Sequence, residues 1–255
     1  MLRSRPVHFT SRLDAWERLL TGLGLVKTVD EGSWREFDAG SGRLALHAAE
    51  PGSAEDGTTT FGVEVGNLAE FARRTNLAGE EGGTTPAELV QADHGESCRI
   101  TGPDGFSFLA DPAAKAADGT WTTSAEADPG LAVVEVWFTE DPGSAAQTLR
   151  DIGARFRPFP DDDETADFAA KNGGVLMVRP AEGAPRAGLG FEYDGDLAAL
   201  EARLADAGHE VRVTEEAFGR TLHVANPDAG SDASAGGGGP VGAPHVPATL
   251  WVSKR

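Results

Sequence analysis

The sequence predicts an α+β fold built from four βαβββ modules, on three observations. One pattern occurs twice: Phe61-Gly62-Val63-Glu64-Val65 before Asn67–Phe71, and Leu189-Gly190-Phe191-Glu192-Tyr193 before Asp196–Leu200, with glycines and glutamates both 128 positions apart. Other pairs keep the same order: Val7-His8-Phe9-Thr10 with Val134-Glu135-Val136-Trp137, Gly42–His47 with Gly174–Arg179, and Ile100–Asp104 with Val224–Asp228. Each half is also double within itself, a strand, a helix and further strands occurring twice, and such periodicity is the mark of a repeated supersecondary unit.

In the first module, Val7 to Ser11 alternates as a strand does. Asp14 to Leu23 then spaces Trp16, Leu19, Leu20 and Leu23 at helical intervals, and strands follow at Ser33 to Phe37 and Arg43 to Ala48. In the second, Thr60 to Val65 is a strand, Asn67 caps a helix over Leu68 to Arg74, and Arg99–Thr101 and Phe106–Leu109 form a hairpin about Gly102-Pro103-Asp104-Gly105. The third runs from a strand at Val133 to Thr139 through a helix at Ala145 to Ile152, stopped by Gly153, to a strand at Val175 to Val178. The fourth places a strand at Leu189 to Tyr193, a helix at Leu197 to Ala207 ended by Gly208, and strands at Glu210–Val213, Thr221–Ala225 and Thr249–Ser253. The expected organisation is a first domain at 1–112 (modules about 1–52 and 58–112), a linker at 113–128, and a second domain at 129–255 (modules about 129–182 and 186–255). The Gly, Ser and Ala-rich insertion 229–244 cannot bury enough apolar area to fix its backbone and is expected to be a mobile loop.

A net charge of -19 repels duplexes and anionic lipid, which excludes nucleic acid and membranes as expected partners and leaves a small organic molecule. The single cysteine, Cys98, allows neither an internal disulfide nor a thiolate cluster. No stretch approaches the roughly 18 apolar residues of a membrane span, so the expected location is the cytoplasm. The run Asp161-Asp162-Asp163-Glu164 lacks calcium-loop spacing and reads as a solvated loop. There is no phosphate loop and no nucleophile elbow.

The four modules, with Leu23-Gly24-Leu25 ending the first helix, the Gly102-Pro103-Asp104-Gly105 turn, and Leu197–Leu204 followed by Gly208, resemble the vicinal-oxygen-chelate superfamily of glyoxalases, bleomycin-resistance proteins and extradiol dioxygenases. The resemblance implies two glyoxalase-like domains, each a curved mixed sheet around a cleft with helices outside. It implies a divalent metal held in the cleft by His, Gln or Glu, acting as a Lewis acid on two neighbouring substrate oxygens. The superfamily's ligand positions fall near Thr60 and Leu109 in the first domain. In the second, Gly188 stands where a histidine is expected, and Thr249-Leu250-Trp251-Val252 carries no acid.

Neither half therefore offers a complete ligand set, and no metal ligands are assigned. No cofactor is expected, with a divalent metal as the one alternative. The expected cleft residues are His8, Trp34, His47, Glu64, Glu135, Trp137, Glu192 and Trp251; catalytic residues are unassigned. Val7 and Phe9 are expected to face the helix and His8 the cleft, and likewise Val134, Val136 and Phe138 the helix, with Glu135, in the place of His8, and Trp137 lining the cleft. A carboxylate beside an indole suits a cationic or aromatic ligand. The expected function is sequestration of a hydrophobic or cationic small molecule by a monomer or homodimer. The alternatives are a metal-dependent lyase, isomerase or dioxygenase using an irregular site of His8 with His47 and Glu64, or an interaction module with filled clefts.

Overall fold

The computed structural model describes residues 1–82, 85–115, 124–158, 165–216, 219–229 and 246–255. The acidic run 161–164, most of the linker centre and insertion residues 230–244 lie outside them.

Four times the chain runs strand, helix, three strands. After β1 (Leu2–Ser4), the first succession is β2 (Val7–Thr10), α1 (Leu13–Leu23), β3 (Val26–Asp30), β4 (Trp34–Asp38) and β5 (Arg43–Ala48). After β6 (Thr59–Thr60), the second is β7 (Gly62–Val65), α2 (Leu68–Gly82), β8 (Ala87–Ala92), β9 (Gly95–Thr101) and β10 (Ser107–Pro112). The third is β11 (Leu131–Thr139), α3 (Pro142–Asp151), β12 (Arg155–Arg157), β13 (Ala166–Ala169) and β14 (Val175–Pro180). The fourth is β15 (Arg186–Tyr193), α4 (Leu197–Asp206), β16 (Val211–Glu216), β17 (Gly219–Ala225) and β18 (Thr249–Lys254).

In each succession the first strand pairs parallel with the last: β2 with β5, β7 with β10, β11 with β14 and β15 with β18. The intervening strands pair antiparallel. A parallel pair needs a long crossover, and the helix with its two following strands supplies it.

Capping residues written in the chain mark several of the helix ends. Gly24 takes φ 101° at the end of α1, where its N–H reaches Leu20 O and Thr21 O. Asn67 Oδ1 accepts from Glu70 N–H at 2.8 Å, the expected cap of α2. Asp141 and Asp196 cap α3 and α4 through their side chains. Helix α2 runs on to Gly82, beyond the expected end at Arg74; Thr75, which is 1% exposed, continues the buried face with a polar residue that hides the periodicity.

The molecule divides into two compact units that interleave along the chain. Unit 1 is Met1–Pro6, Thr60–Thr123 and Val134–Leu189; unit 2 is Val7–Thr59, Ser124–Val133 and Gly190–Arg255. The sequence-drawn boundaries pair consecutive modules, whereas unit 1 gathers the second and third successions and unit 2 the first and fourth. The helix contacts agree: α2 packs on α3, and α1 on α4.

In unit 2, Trp16, Leu19, Leu20 and Leu23 of α1 are fully buried, as are Phe37, Leu44 and Leu46 on the sheet. In unit 1, one core joins Val63, Val65, Ile100 and Phe108 to Trp137, Leu149 and Phe168. Burial of this order is the main driving force for each unit. No helix among the described residues is long and apolar enough to cross a membrane.

Candidate functional site

Strand register decides which side chains face the helices and which face the open side of each sheet. Across a pair, opposite residues share a face. His8 lies opposite Leu46, and Phe9 opposite His47. Leu46 is fully buried, and the His8 ring sits 4.1 Å from that of Trp16 on α1. His8 therefore faces the helix layer, and Val7 and Phe9 face the open side, the reverse of the expectation. The same inversion holds on β11: Trp137 is buried in the core with α3, and Phe138 is partly exposed.

Two turns explain the inversion. Asp228 takes bonds from His8 Nε2 (2.7 Å), Trp16 Nε1 (2.7 Å) and Thr10 Oγ1 (2.5 Å). Asp104 takes them from Trp137 Nε1 (3.0 Å) and Thr139 Oγ1 (2.7 Å). Thr10 Oγ1 also accepts from Arg12 N–H, and Thr139 Oγ1 from Asp141 N–H. The matched threonines, like the first residues of α1 and α3, stand 129 positions apart. That offset puts Trp137, not Glu135, in the place of His8. Each Asp is partly buried, the Asp228 side chain only 4% exposed, and its acceptor-only carboxylate draws donors from the paired first strand, which turns that strand's polar residues inward.

Both His8 nitrogens are engaged, since Nδ1 lies 2.9 Å from Thr59 Oγ1. With His47 on the opposite face of the sheet, the irregular site of His8, His47 and Glu64 does not form.

In unit 1 the acids of the open face are matched by arginines. Glu64 accepts from Arg3 Nε at 2.6 Å, and Arg5 Nε lies 3.9 Å from its other oxygen. Arg5 also pairs with Asp111, which accepts from Ser97 Oγ at 2.5 Å and lies 3.0 Å from His94 Nε2. Burial pushes the Asp111 carboxyl up, but the charge of Arg5 and the bonds from Ser97 and His94 outweigh it and hold the group below its ordinary range.

Glu135 belongs to neither set. It is fully buried, and accepts from Ser4 Oγ at 2.6 Å and Gly62 N–H at 2.7 Å. Burial raises it to about 8 against those bonds.

The open face of unit 2 is different in kind. Trp34 lies opposite His47 on the other side from Phe9, and both rings flank the imidazole, at 5.9 Å and 5.3 Å. His47 Nδ1 lies 2.9 Å from Ala48 O, which can only accept, so Nδ1 carries a proton and Nε2 is the acceptor nitrogen of the neutral ring form. All three side chains are partly exposed. On the fourth succession, Trp251 lies opposite His223, and Glu192 opposite Ser253. A Cβ on Gly190 would overlap Cε2 and Cζ2 of Trp251, so the glycine lets the indole lie flat on the strand. A hollow of about 310 Å³ also opens beside Thr10, Arg12, Asp14 and Arg35, its arginine at 35 already held by Asp14 and Glu17.

Among the described residues no three His, Cys, Asp or Glu side chains lie close enough together to hold a metal ion. The donor set does not fit a divalent metal: Glu64 and Asp111 are neutralised by guanidinium groups, and His8 has no free nitrogen.

No family model matches the sequence, and no curated protein matches it. Solved structures match along its whole length. A Mn(II)-bound glyoxalase from Novosphingobium aromaticivorans is 11% identical with a TM-score of 0.59, over 99% of this chain and 80% of that one. A catechol 2,3-dioxygenase is 15% identical with a TM-score of 0.58, over 99% and 86%. The 2,3-dioxygenase LapB from Pseudomonas sp. KL28 is 11% identical with a TM-score of 0.57, over 99% and 91%. At these identities the likeness is one of fold.

Proposed function

From the premise that the chain has the fold of the vicinal-oxygen-chelate superfamily, we propose that it handles a small aromatic molecule on the open face of unit 2, with Trp34, His47 and Phe9 as the binding cluster. The observation that carries this is the imidazole of His47, fixed in one tautomer by Ala48 O and flanked by two rings. A phenolic hydroxyl donates to Nε2, while Phe9 and Trp34 supply ring contacts. The partner is then a small organic molecule, met in the cytoplasm by a monomer or homodimer. Titration calorimetry with catechol and phenol tests it. Catechol binding should weaken at least tenfold in His47→Ala and in Trp34→Ala; equal affinity in both variants would reject the site.

A metal-dependent enzyme is the second reading. Likeness to dioxygenases and a manganese-bound glyoxalase favours it over sequestration, as a matter of fold. The described side chains do not supply its metal centre. Elemental analysis of the purified chain separates the two: one equivalent of a divalent metal, lost in His47→Ala, supports the enzyme, and substoichiometric metal supports binding alone.

A further inference from the structure

The second and fourth successions place matched residues on the open faces of their sheets, and one matched hydroxyl is bonded in the second but not in the fourth. On β17 and β18, Leu222, Val224, Leu250 and Val252 are buried on the helix side, so Thr221, His223, Trp251 and Ser253 alternate onto the open face. Thr221 lies opposite Ser253, and His223 opposite Trp251. Glu192 pairs with Ser253 as Glu64 does with Asp111, which makes Ser253 the counterpart of Asp111, Trp251 of Leu109, and Thr221 of Ser97.

In unit 1 this row is closed. Ser97 Oγ donates to Asp111 Oδ1 at 2.5 Å, and Arg5 pairs with the same carboxylate. In unit 2 a serine replaces that aspartate, and Thr221 Oγ1, on a residue 3% exposed, has no hydrogen-bond partner among the described residues. A buried hydroxyl left unpaired is costly, so the position favours a visiting group that completes it. His223 Nε2 lies 3.0 Å from Thr214 Oγ1, and Thr214 lies opposite Thr221, so the imidazole leans across the row and screens it. Beside the row the Trp251 indole lies flat over Gly190 and is partly exposed, its other face turned away from the strand. Thr214, Thr221 and Ser253 stand on neighbouring strands. Such strands are about 4.8 Å apart, close to the spacing of alternate equatorial hydroxyls on a pyranose ring.

We propose that the open face of the fourth succession binds a neutral polyhydroxylated ring, a pyranose sugar, stacked on Trp251 with its hydroxyls on Thr221 and Ser253. A sugar hydroxyl both donates and accepts, so it completes either side chain whichever way that side chain is turned. The C–H face of the ring meets the indole, an apolar platform beside convergent polar groups. Binding turns the His223 ring aside from Thr221. The net charge of -19 repels sugar phosphates and sugar acids, which leaves uncharged sugars as the class. Unit 1 holds no equivalent, because Leu109 stands in place of the indole and Arg5 with Asp111 closes the row. The site goes beyond the aromatic reading above: Phe9, Trp34 and His47 take no part in it.

The probes are the methyl pyranosides of glucose, galactose and mannose, with tetrahydropyran-2-methanol as the ring stripped of its ring hydroxyls, followed by NMR titration of the indole N–H signals of the full chain. At least one pyranoside should bind tenfold or more tightly than the stripped ring. Thr221→Val should weaken that pyranoside about tenfold. It should leave the melting temperature unchanged or raised, because the methyl replaces a hydroxyl without a partner among the described residues. Trp251→Leu should weaken the pyranoside by a similar factor. No binding by any of the pyranosides, equal affinity for the stripped ring, or unaltered affinity in Thr221→Val would each overturn the proposal. So would a Thr221→Val variant that melts well below the unaltered protein, since the hydroxyl would then be bonded within the chain. The contrast between pyranoside and stripped ring is read on the unmodified protein, so it stands whether or not a variant folds. Catechol binding lost in His47→Ala with pyranoside binding retained separates this site from the aromatic cluster.

Discussion

At the scale of single residues, the most consequential group is Asp228, which no catalytic motif would single out. Its carboxylate gathers an imidazole, an indole and a hydroxyl from two elements far away in sequence. Replacing it with alanine leaves three buried donors without an acceptor, a loss on the order of 3 kcal/mol. Chemical denaturation of Asp228→Ala should show that loss as a lower midpoint with an unchanged slope; a midpoint shift near zero would mean that water satisfies the donors. His8 illustrates the limit of reading residue types alone. A histidine on a strand invites a catalytic or metal role, yet both of its nitrogens are used in holding the turn. In unit 1 the same place is taken by Trp137, which has one donor and no lone pair to offer. The aromatic cluster at Trp34 and His47 was legible as a pair of residue types, but its geometry was not, because Phe9 was assigned to the other face.

At the scale of elements, register is the quantity that the sequence left open. Alternation marked β2 and β11 as strands, and both are strands. It did not say which face was buried, because His8 and Trp137 read as cleft residues until their acceptors are known. Phe61, Val63 and Val65, a wholly apolar set, all join the core. Glu135 acts between elements: it lies on β11 and accepts from Ser4 of β1 and from Gly62 of β7. Its raised pKa sets a direction for stability. The unfolded chain loses this proton near 4.5 and the folded chain near 8, so the stabilisation is complete below about 4.5 and fades as pH rises towards 8. At its steepest the loss is about 1.4 kcal/mol per pH unit. Glu135→Gln keeps the acceptor for Gly62 and a donor for Ser4 without the charge. Its melting temperature at pH 8 should exceed that of the unaltered protein, and the gap should close by pH 5; parallel pH profiles would show that Glu135 is ionised in the folded state.

At the scale of the whole molecule, four similar successions assemble into two units that pair the second with the third and the first with the fourth. The sequence determined the α+β class, the four helices, the first strand of each succession and the main turn residues, because local chemistry sets these: apolar spacing, caps, and glycine or Pro-Asp at reversals; it passed over β1, β3, β8, β12 and β13. It also marked the glutamates at 64 and 192 as equivalent. Only the tertiary structure decided which successions share a core and which face of β2 and β11 is buried. Those outcomes depend on partners remote in sequence, such as Asp228 for His8 or Arg3 for Glu64. The interaction that fixes them is the pairing of buried polar groups, which no local pattern records.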